Sequence, residues 1–147
     1  MPKNSAAGEV FLATEAATNR KVAIKKMPLN AQNLKLISTE IQIMKTSRHP
    51  NIVEYIDSFI VDKKLWVVME FMGYGCLTEV LEQFENGVYM TEPQIAYVCR
   101  ENLKGLAYVH SMHRIHRDIK SDNILLGDNG EVKIGTSLSY FILLYVL

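Results

Sequence analysis

His116-Arg117-Asp118-Ile119-Lys120-Ser121-Asp122-Asn123 is the stretch of this chain that decides its fold and its chemistry. The pattern is H-R-D-x-x-x-x-N, in which Asp118 can accept a proton from a hydroxyl and Lys120 can lie against a phosphate. The amide of Asn123 is suited to hold a magnesium ion. An acid, a cation and a metal-binding amide at this spacing are what phosphoryl transfer to a hydroxyl requires.

The composition of the 147-residue chain counts against several classes of function. Lys plus Arg and Asp plus Glu both number 16, so the formal net charge is zero and gives no reason to expect a nucleic acid or an anionic membrane as a partner. The cluster His113-Arg114 with His116-Arg117 lacks interleaved aromatic residues, which disfavours nucleic-acid binding. Cys76 and Cys99 form no C-x-x-C pair, so we expect neither a disulfide scaffold nor a zinc site. This cysteine usage fits a reducing, cytoplasmic compartment. No apolar run reaches the roughly 18 residues of a spanning helix, and no signal peptide is predicted.

The first half of the chain is predicted to be a small antiparallel sheet with one helix. β-Branched and aromatic residues flank a polar turn around Asn19, and Lys25 is expected to end the second strand. Apolar residues at steps of three and four predict a helix over about residues 31–45, with Glu40 on the border of its buried stripe. His49-Pro50-Asn51 should stop this helix, because proline disfavours helical backbone in the residue before it. Two more strands are predicted near residues 52–60 and 65–71, with Asp62-Lys63-Lys64 as the turn.

The second half is predicted to be mainly helical. Gly73-Tyr74-Gly75 interrupts the strand pattern and favours a flexible link, after which helical spacing predicts a short helix over about residues 77–84. Thr91 and Gln94 form a capping box that begins a longer helix. Two short strands are predicted at 124–126 and 132–134, joined by the turn Asp128-Asn129-Gly130. The buried stripe of the longer helix is predicted to be Ile95, Val98 or Cys99, Leu103, Leu106 and His110.

A second chemical signal lies upstream of the Asp118 loop. Val22-Ala23-Ile24-Lys25 ends a predicted strand with a cation, and Glu40 lies in the next helix, so the two could pair and direct Lys25 at phosphates. Alone, a strand that ends in lysine is usually an edge charge. The order of this lysine, the helical glutamate, the glycine-containing link and the Asp118 loop favours one common site.

On these motifs the chain resembles a eukaryotic serine/threonine protein kinase of the Sterile-20 and p21-activated kinase group. The resemblance runs from about Gly8 to Ile134 and is carried by VAIKKM, HPNIVEYIDSF, LWVVMEFM, EPQIAYVCRE and HRDIKSDNILL, while Lys120 is typical of serine/threonine rather than tyrosine kinases. It implies an α+β, protein-kinase-like fold, with a small antiparallel-sheet N-lobe carrying one helix and the upper, mainly helical part of the C-lobe. The implied domains are residues 1–72 for the N-lobe, 73–134 for the partial C-lobe and 135–147 for an unrelated apolar tail.

The resemblance also implies a role for each matching residue. The catalytic residues would be Asp118, Lys120, Lys25 and Glu40, with Glu40 as the ion-pair partner of Lys25, and Asn123 would hold magnesium. The cofactors would be ATP and Mg. The ATP-binding residues would be Gly8, Val10, Ala23, Lys25, Met69, Glu70, Met72 and Leu125, with the backbone of Glu70 and Met72 at the adenine edge. Without the family frame, Met69, Ala23 and Leu125 would be interpreted as ordinary core residues. All of these residues are expected to converge on one nucleotide cleft between two lobes.

The chain departs from the kinase pattern at two places. Aligned on Gly8 and Val10, the glycine loop has Lys3 and Ser5 at its first two glycine positions, where side chains should weaken the cover over phosphates. After the strand that ends at Ile134 a kinase has D-F-G, but this chain has Gly135 and then TSL. The missing carboxylate would remove a magnesium ligand, so we expect phosphotransfer to fall by about three orders of magnitude or more.

The apolar end of the chain, LSYFILLYVL, matches nothing in the kinase pattern. The abrupt change after Ile134 is what translation into an intron or a frameshift would produce, and we interpret the chain as truncated at both ends. If it is instead an evolved short form, the helix over residues 91–112 would expose a face that risks aggregation.

Two classes of function stay open. The first is a protein serine/threonine kinase that transfers the γ-phosphate of ATP to a protein hydroxyl, of which this chain would be a fragment with low or no activity. The second is a non-catalytic, kinase-like binding or scaffold module, which would need none of Lys25, Asp118, Lys120 and Asn123. A P-loop hydrolase is excluded because the chain has no G-K-[ST] motif. The expected partners are a protein substrate and, through a region outside this chain, a small GTPase, with no nucleic acid and no membrane span.

Overall fold

The computed structural model describes residues 3–5 and 8–135, with side chains from residue 9 onward. The chain divides into two compact units, one formed by residues up to Arg48 together with Glu54–Phe71, the other by His49–Val53 together with the residues from Met72. Both units contain a sheet and at least one helix, which confirms the predicted α+β class. The predicted domain boundaries stay predictions, although His49–Val53 packs with the second unit rather than with the strands around it in sequence.

The first unit is built on a five-stranded antiparallel sheet with the strand order β1-β2-β3-β5-β4. Its strands are β1 (Lys3–Ser5), β2 (Gly8–Thr14), β3 (Lys21–Pro28), β4 (Tyr55–Val61) and β5 (Lys64–Glu70). The prediction that Lys25 ends its strand is wrong, because β3 continues to Pro28 while Met27 is buried and pairs with Leu65. Lys25 therefore lies inside the sheet, between neighbours on both sides.

The predicted helix of the first unit is α1, and it spans Leu34–Thr46. It begins later than the apolar pattern predicts because Asn30 and Asn33 bond reciprocally: the N–H of each donates to the side-chain oxygen of the other at 2.9 Å. These bonds hold the preceding residues in a turn. Glu40 lies within the buried face of α1 rather than on its border.

The second unit carries a small three-stranded sheet in the order β6-β7-β8 and two helices. The predicted strands β7 (Ile124–Leu126) and β8 (Val132–Ile134) are confirmed, and Gly130 in the turn between them has φ +85°. Strand β6 (Gly75–Cys76) was not predicted; it pairs with β7 directly before α2 (Leu77–Glu82), which a short 3₁₀ helix, Gln83–Asn86, continues.

The longer helix, α3, spans Glu92–Ser111 and begins with the predicted capping box, in which the Thr91 N–H donates to Oε1 of Gln94 (2.8 Å). Its predicted buried stripe is confirmed at Val98, and Leu106 is half-buried against the core, but the rest of it is wrong: Leu103 is 64% exposed, and Ile95 and His110 are exposed as well. The residues that α3 buries are Val98, Glu101, Asn102, Gly105 and Val109.

The packing of α3 explains this difference. An added Cβ at Gly105 would lie 2.8 Å from the Asn51 carbonyl oxygen and 2.9 Å from Cδ1 of Ile134, so this helix approaches β8 and the His49–Val53 segment closely at its glycine. The buried face of α3 is therefore centred on Gly105 and not on its large apolar residues Ile95 and Leu103. None of the helices in the described part of the chain is long and apolar enough to span a membrane.

Candidate active site

The predicted catalytic loop is brought together by hydrogen bonds among its own residues. The chain folds back in a 3₁₀ turn, Ser121–Asn123, in which the Asn123 N–H donates to the Lys120 carbonyl (2.9 Å). The Asn123 amide then donates to the Asp118 carbonyl and to Asp118 Oδ2, both at 2.8 Å. Lys120 Nζ lies 3.4 Å from Asp118 Oδ1. The spacing H-R-D-x-x-x-x-N therefore places an oriented carboxylate beside a half-exposed ammonium group.

Buried groups hold both ends of this loop. His116 is buried, its Nδ1 accepts the Asp118 N–H at 3.4 Å, and its Nε2 lies 3.0 Å from the Gly135 carbonyl oxygen. This arrangement fits a neutral imidazole that donates from Nε2 and accepts at Nδ1. Burial lowers the pKa of His116, and the Gly135 carbonyl and the Asp118 carboxylate oppose that shift only in part. Gly135 also donates its N–H to the Asn123 carbonyl (2.7 Å), so it links the start and the end of the loop.

In the first unit, four of the predicted ATP-binding residues share one face of the five-stranded sheet. Val10 is in register with Lys25, and Ala23 is in register with Met69. Directly paired residues point to the same face, and so do residues two apart on one strand, so these four side chains line one surface. Gly8, two residues before Val10, belongs to the same face of β2.

Lys25 is a buried cation on that face. It is 7% exposed and Glu40 on α1 is 4% exposed. Burial lowers the pKa of the Lys25 ammonium, and the opposite charge of Glu40 counteracts this by favouring the charged form. The predicted ion-pair partner therefore acts electrostatically on Lys25.

The remaining predicted adenine contacts lie in different places. The Glu70 N–H donates to the Glu54 carbonyl (3.0 Å), which leaves it unavailable to a ligand. Met72 and Leu125 belong to the second unit, with Met72 buried and Leu125 half-buried on β7. The site residues thus fall into one group in each unit, and their convergence on a single nucleotide cleft stays a prediction.

A kinase holds magnesium with the catalytic-loop asparagine and the D-F-G aspartate, and this sequence has TSL where D-F-G would stand. Within residues 3–5 and 8–135, no three His, Cys, Asp or Glu side chains lie close enough together to hold a metal ion. Asn123 and Asp118 offer oxygen atoms, but a magnesium ion prefers several oxygen ligands with anionic charge. The residues TSL, which stand where a kinase has D-F-G, lie outside the described residues.

Sequence reasoning missed Asn51 and Glu101, whose hydrogen bonds hold the strand β8 that leads to Gly135. The Asn51 amide donates to Glu101 Oε2 (2.9 Å) and to the Val132 carbonyl (3.0 Å), and the Asn51 carbonyl accepts the Ile134 N–H (2.9 Å). These bonds fix β8, and Gly135, which links the two ends of the loop, directly follows this strand. The sequence predicts His49-Pro50-Asn51 only as a helix stop, and the one signal it offers for this role is the polar Asn51 directly after the proline.

Glu101, which accepts the hydrogen bond from Asn51, carries a buried carboxylate. The hydrogen bond from Lys104, followed by that from Asn51, lowers its pKa to about 2. Lys104 Nζ lies 2.8 Å and Arg100 Nε 3.0 Å from Glu101 Oε1. The charge of Glu101 is therefore shared by two exposed cations on its own helix.

Comparison with known proteins identifies the family to which the sequence belongs. The sequence profile of the protein kinase domain family matches residues 5–136. Over 88% of its length the chain is 71% identical to the serine/threonine-protein kinase pakB of Dictyostelium discoideum, 52% identical to CLA4 of Candida albicans and 51% identical to PAK 1 of Mus musculus. It covers 15%, 13% and 23% of those three proteins, respectively. A match over nearly the whole chain, with the Asp118–Asn123 loop intact, shows that the chain belongs to the protein kinase domain family.

Proposed function

We propose that this chain is the nucleotide-binding and catalytic-loop part of a serine/threonine protein kinase that transfers the γ-phosphate of ATP to a protein hydroxyl. The observation that carries the proposal is the geometry of Asp118, whose carboxylate is oriented by Asn123 at 2.8 Å and accompanied by Lys120 at 3.4 Å. In this proposal Asp118 accepts the proton of the substrate hydroxyl, and Lys120 stabilises the negative charge of the transferring phosphate.

ATP is the proposed phosphate donor. The apolar side chains Val10, Ala23 and Met69 would bury the adenine ring, and the buried Lys25 would bind phosphate oxygens more strongly than an exposed lysine because little water competes. The negative charge of Glu40 favours the charged form of Lys25. Magnesium, when bound with ATP, would neutralise phosphate charge. Because the sequence lacks the D-F-G aspartate that would share this ion with Asn123, we expect low activity of the chain by itself.

A second candidate function is a non-catalytic, kinase-like binding or scaffold module. The observation that favours it is the sequence TSL in place of D-F-G, which leaves Asn123 without the aspartate that would share the magnesium ions. The oriented carboxylate of Asp118 favours the first proposal, because a non-catalytic scaffold does not need a group that accepts a proton from a hydroxyl.

The proposed partners and compartment follow from the family resemblance. The partner of the reaction would be a protein substrate with an accessible Ser or Thr, and a small GTPase would bind through a region outside this chain. The proposed compartment is the cytoplasm, where the free thiols of Cys76 and Cys99 would stay reduced.

Two measurements test the proposal. Thermal unfolding of the 147-residue chain should shift upward with millimolar ATP, and the shift should disappear in Lys25→Met but persist in Lys26→Met, which alters the opposite face of the same strand. Transfer of labelled γ-phosphate to a generic basic protein should be weak and should disappear in Asp118→Asn. The absence of any ATP shift would contradict the proposed kinase function and favour the scaffold module. Transfer that survives Asp118→Asn would contradict the assigned role of Asp118.

A further inference from the structure

A hydrogen bond between two hydroxyl groups joins α2 to the Asp118 loop, across 43 residues of sequence. The Thr78 hydroxyl donates to the hydroxyl oxygen of Ser121 at 2.8 Å, and both side chains are half-buried. Ser121 is the first residue of the 3₁₀ turn that brings Asn123 back to Asp118. In the part of the chain that the structure describes, the Ser121 side chain has no other hydrogen-bond partner. The bond therefore ties the middle of the loop to a helix outside it.

Thr78 is itself held in place by the residues around it. The Cys76 N–H donates to Oε2 of Glu79 (3.0 Å), which caps α2, and Cys76 is paired with Leu125 on β7. Leu77, directly before Thr78, packs against a buried apolar cluster of the second unit. A β-branched side chain also has few rotamers available. The cap, the strand pairing and the apolar packing therefore give the Thr78 hydroxyl a fixed position next to the loop.

Lys120, directly before Ser121, is the residue whose placement depends on this bond. Its side chain is 52% exposed, and its ammonium lies 3.4 Å from Asp118 Oδ1. An exposed ion pair holds a long side chain weakly, because water screens both charges and side-chain entropy opposes a single geometry. The backbone is held instead: the Lys120 carbonyl accepts the Asn123 N–H at 2.9 Å, and the next residue is bonded to Thr78. The position of the ammonium therefore follows from where the backbone is fixed.

We propose that Thr78 is a positioning residue for phosphotransfer, because its hydroxyl holds Ser121 and so fixes the backbone that carries Lys120. The inference rests on the proposed kinase function, in which Lys120 stabilises the charge of the transferring phosphate. Thr78 acts through the loop and not on the phosphate itself. Its hydroxyl should therefore matter for the rate of the chemical step and not for the binding of ATP, since a displaced Lys120 loses charge stabilisation in the transition state.

Transfer of labelled γ-phosphate to a generic basic protein, measured over a range of ATP concentrations, tests this role. Thr78→Val removes the hydroxyl and keeps the branched shape, so it should lower kcat about fivefold to tenfold and leave KM for ATP unchanged. Thr78→Ser keeps the hydroxyl and should retain at least about half of the rate. Ser121→Ala should match Thr78→Val, and the double variant should be no slower, because both remove one bond. An unchanged kcat in Thr78→Val, or a Thr78→Ser chain that is equally slow, would overturn the proposal.

Thr91→Val is the matched control for general loss of stability. It removes a threonine hydroxyl of the same unit, one that donates to Oε1 of Gln94 at 3.0 Å at the start of α3. The variant should unfold at lower urea concentration because a helix cap is lost, but its kcat should stay that of the unaltered chain. An equal fall of kcat in Thr91→Val and Thr78→Val would overturn the proposal, since weakened folding of the unit would then explain both.

Amide hydrogen exchange gives a readout that needs neither ATP nor transfer. The Asn123 N–H, which donates to the Lys120 carbonyl, should exchange at least about fivefold faster in Thr78→Val and Ser121→Ala than in Thr91→Val. Equal exchange in all three variants would show that the Thr78 hydroxyl does not hold the loop, and the proposal would be wrong. A chain that transfers no phosphate at all contradicts the proposed kinase function instead, and the exchange rates then decide separately whether Thr78 anchors the loop.

Discussion

Lys25 carries its charge in a position that opposes stability. Its side chain is 7% exposed, and burial lowers the pKa of its ammonium while Glu40 opposes that shift. Removing two charges from water costs several kcal/mol per ion, which their mutual attraction offsets only in good geometry. A sequence selected for stability alone would place an apolar side chain here, so the retained charge is consistent with a role in binding phosphate.

A double-mutant cycle at this pair tests whether Lys25 and Glu40 interact. Lys25→Met should lower the free energy of unfolding by about 3 kcal/mol, because it leaves a buried carboxylate without its cation. Adding Glu40→Gln should recover part of that loss, giving a coupling energy of about 1–3 kcal/mol from urea unfolding. In the control cycle, Lys26→Met with Glu40→Gln, the effects should add, since Lys26 stacks on Phe11 and Trp66 on the opposite face. Additive effects in both cycles would contradict the pairing.

Glu101 makes stability depend on pH on the acid side. Its pKa is about 2 in the folded chain against an ordinary value of 4.5, so between these values the unfolded state binds more protons. The stability that this carboxylate contributes is complete above about pH 4.5 and is lost as the pH falls toward 2.

Urea unfolding at a series of pH values between 2 and 6 measures this contribution. Glu101→Gln should flatten the dependence below pH 4.5. Lys104→Met removes the largest cause of the low pKa, so it should move the loss of stability to higher pH. An acid limb unchanged in both variants would show that Glu101 is not the group responsible.

At the scale of elements, the start of α3 is determined by residues near in sequence, whereas its buried face is determined by tertiary packing. Its first residue could be predicted because a capping box is a bond between Thr91 and Gln94, which are near neighbours in the sequence. Its buried face could not, because that face is set by Asn51 and Ile134, which reach Gly105 from distant parts of the chain. The apolar side chains Ile95 and Leu103 that formed the predicted stripe are exposed in the described structure.

Gly105→Ala should reverse the usual effect of alanine in a helix. Propensity alone favours alanine over glycine by about 1 kcal/mol. Here the new methyl group would meet a backbone carbonyl at 2.8 Å, so we expect a loss of about 1–3 kcal/mol from the free energy of unfolding. Ala107→Gly, at an exposed position of the same helix, is the control and should cost about 1 kcal/mol. A stabilised Gly105→Ala chain would contradict the close packing of α3 against Asn51.

At the scale of the whole molecule, the chain matches the protein kinase domain but has TSL where a kinase has D-F-G. We predict that ATP binds this chain with little dependence on magnesium. Restoring the kinase sequence after Gly135, by Thr136→Asp with Ser137→Phe and Leu138→Gly, should make magnesium raise the affinity for ATP about tenfold, since it supplies the missing anionic ligand.

Isothermal titration with ATP, with and without magnesium, measures this difference. Thr136→Asn, combined with the same Ser137→Phe and Leu138→Gly changes, is the control, because asparagine has the size of aspartate without its charge. A strong magnesium effect in the unaltered chain would show that other groups complete the metal site.

The sequence by itself determined the family, the α+β class, most of the elements and the local geometry of the Asp118–Asn123 loop. These features depend on short-range bonds and on residue periodicity, and the resemblance to p21-activated kinases is confirmed by relatives that carry the PAK name. Only the tertiary structure decided that Lys25 lies inside β3, that Glu40 is buried and that Asn51 and Glu101 support β8 behind the loop. Those facts depend on which distant segments pack together, and periodicity along one segment carries no information about its partner.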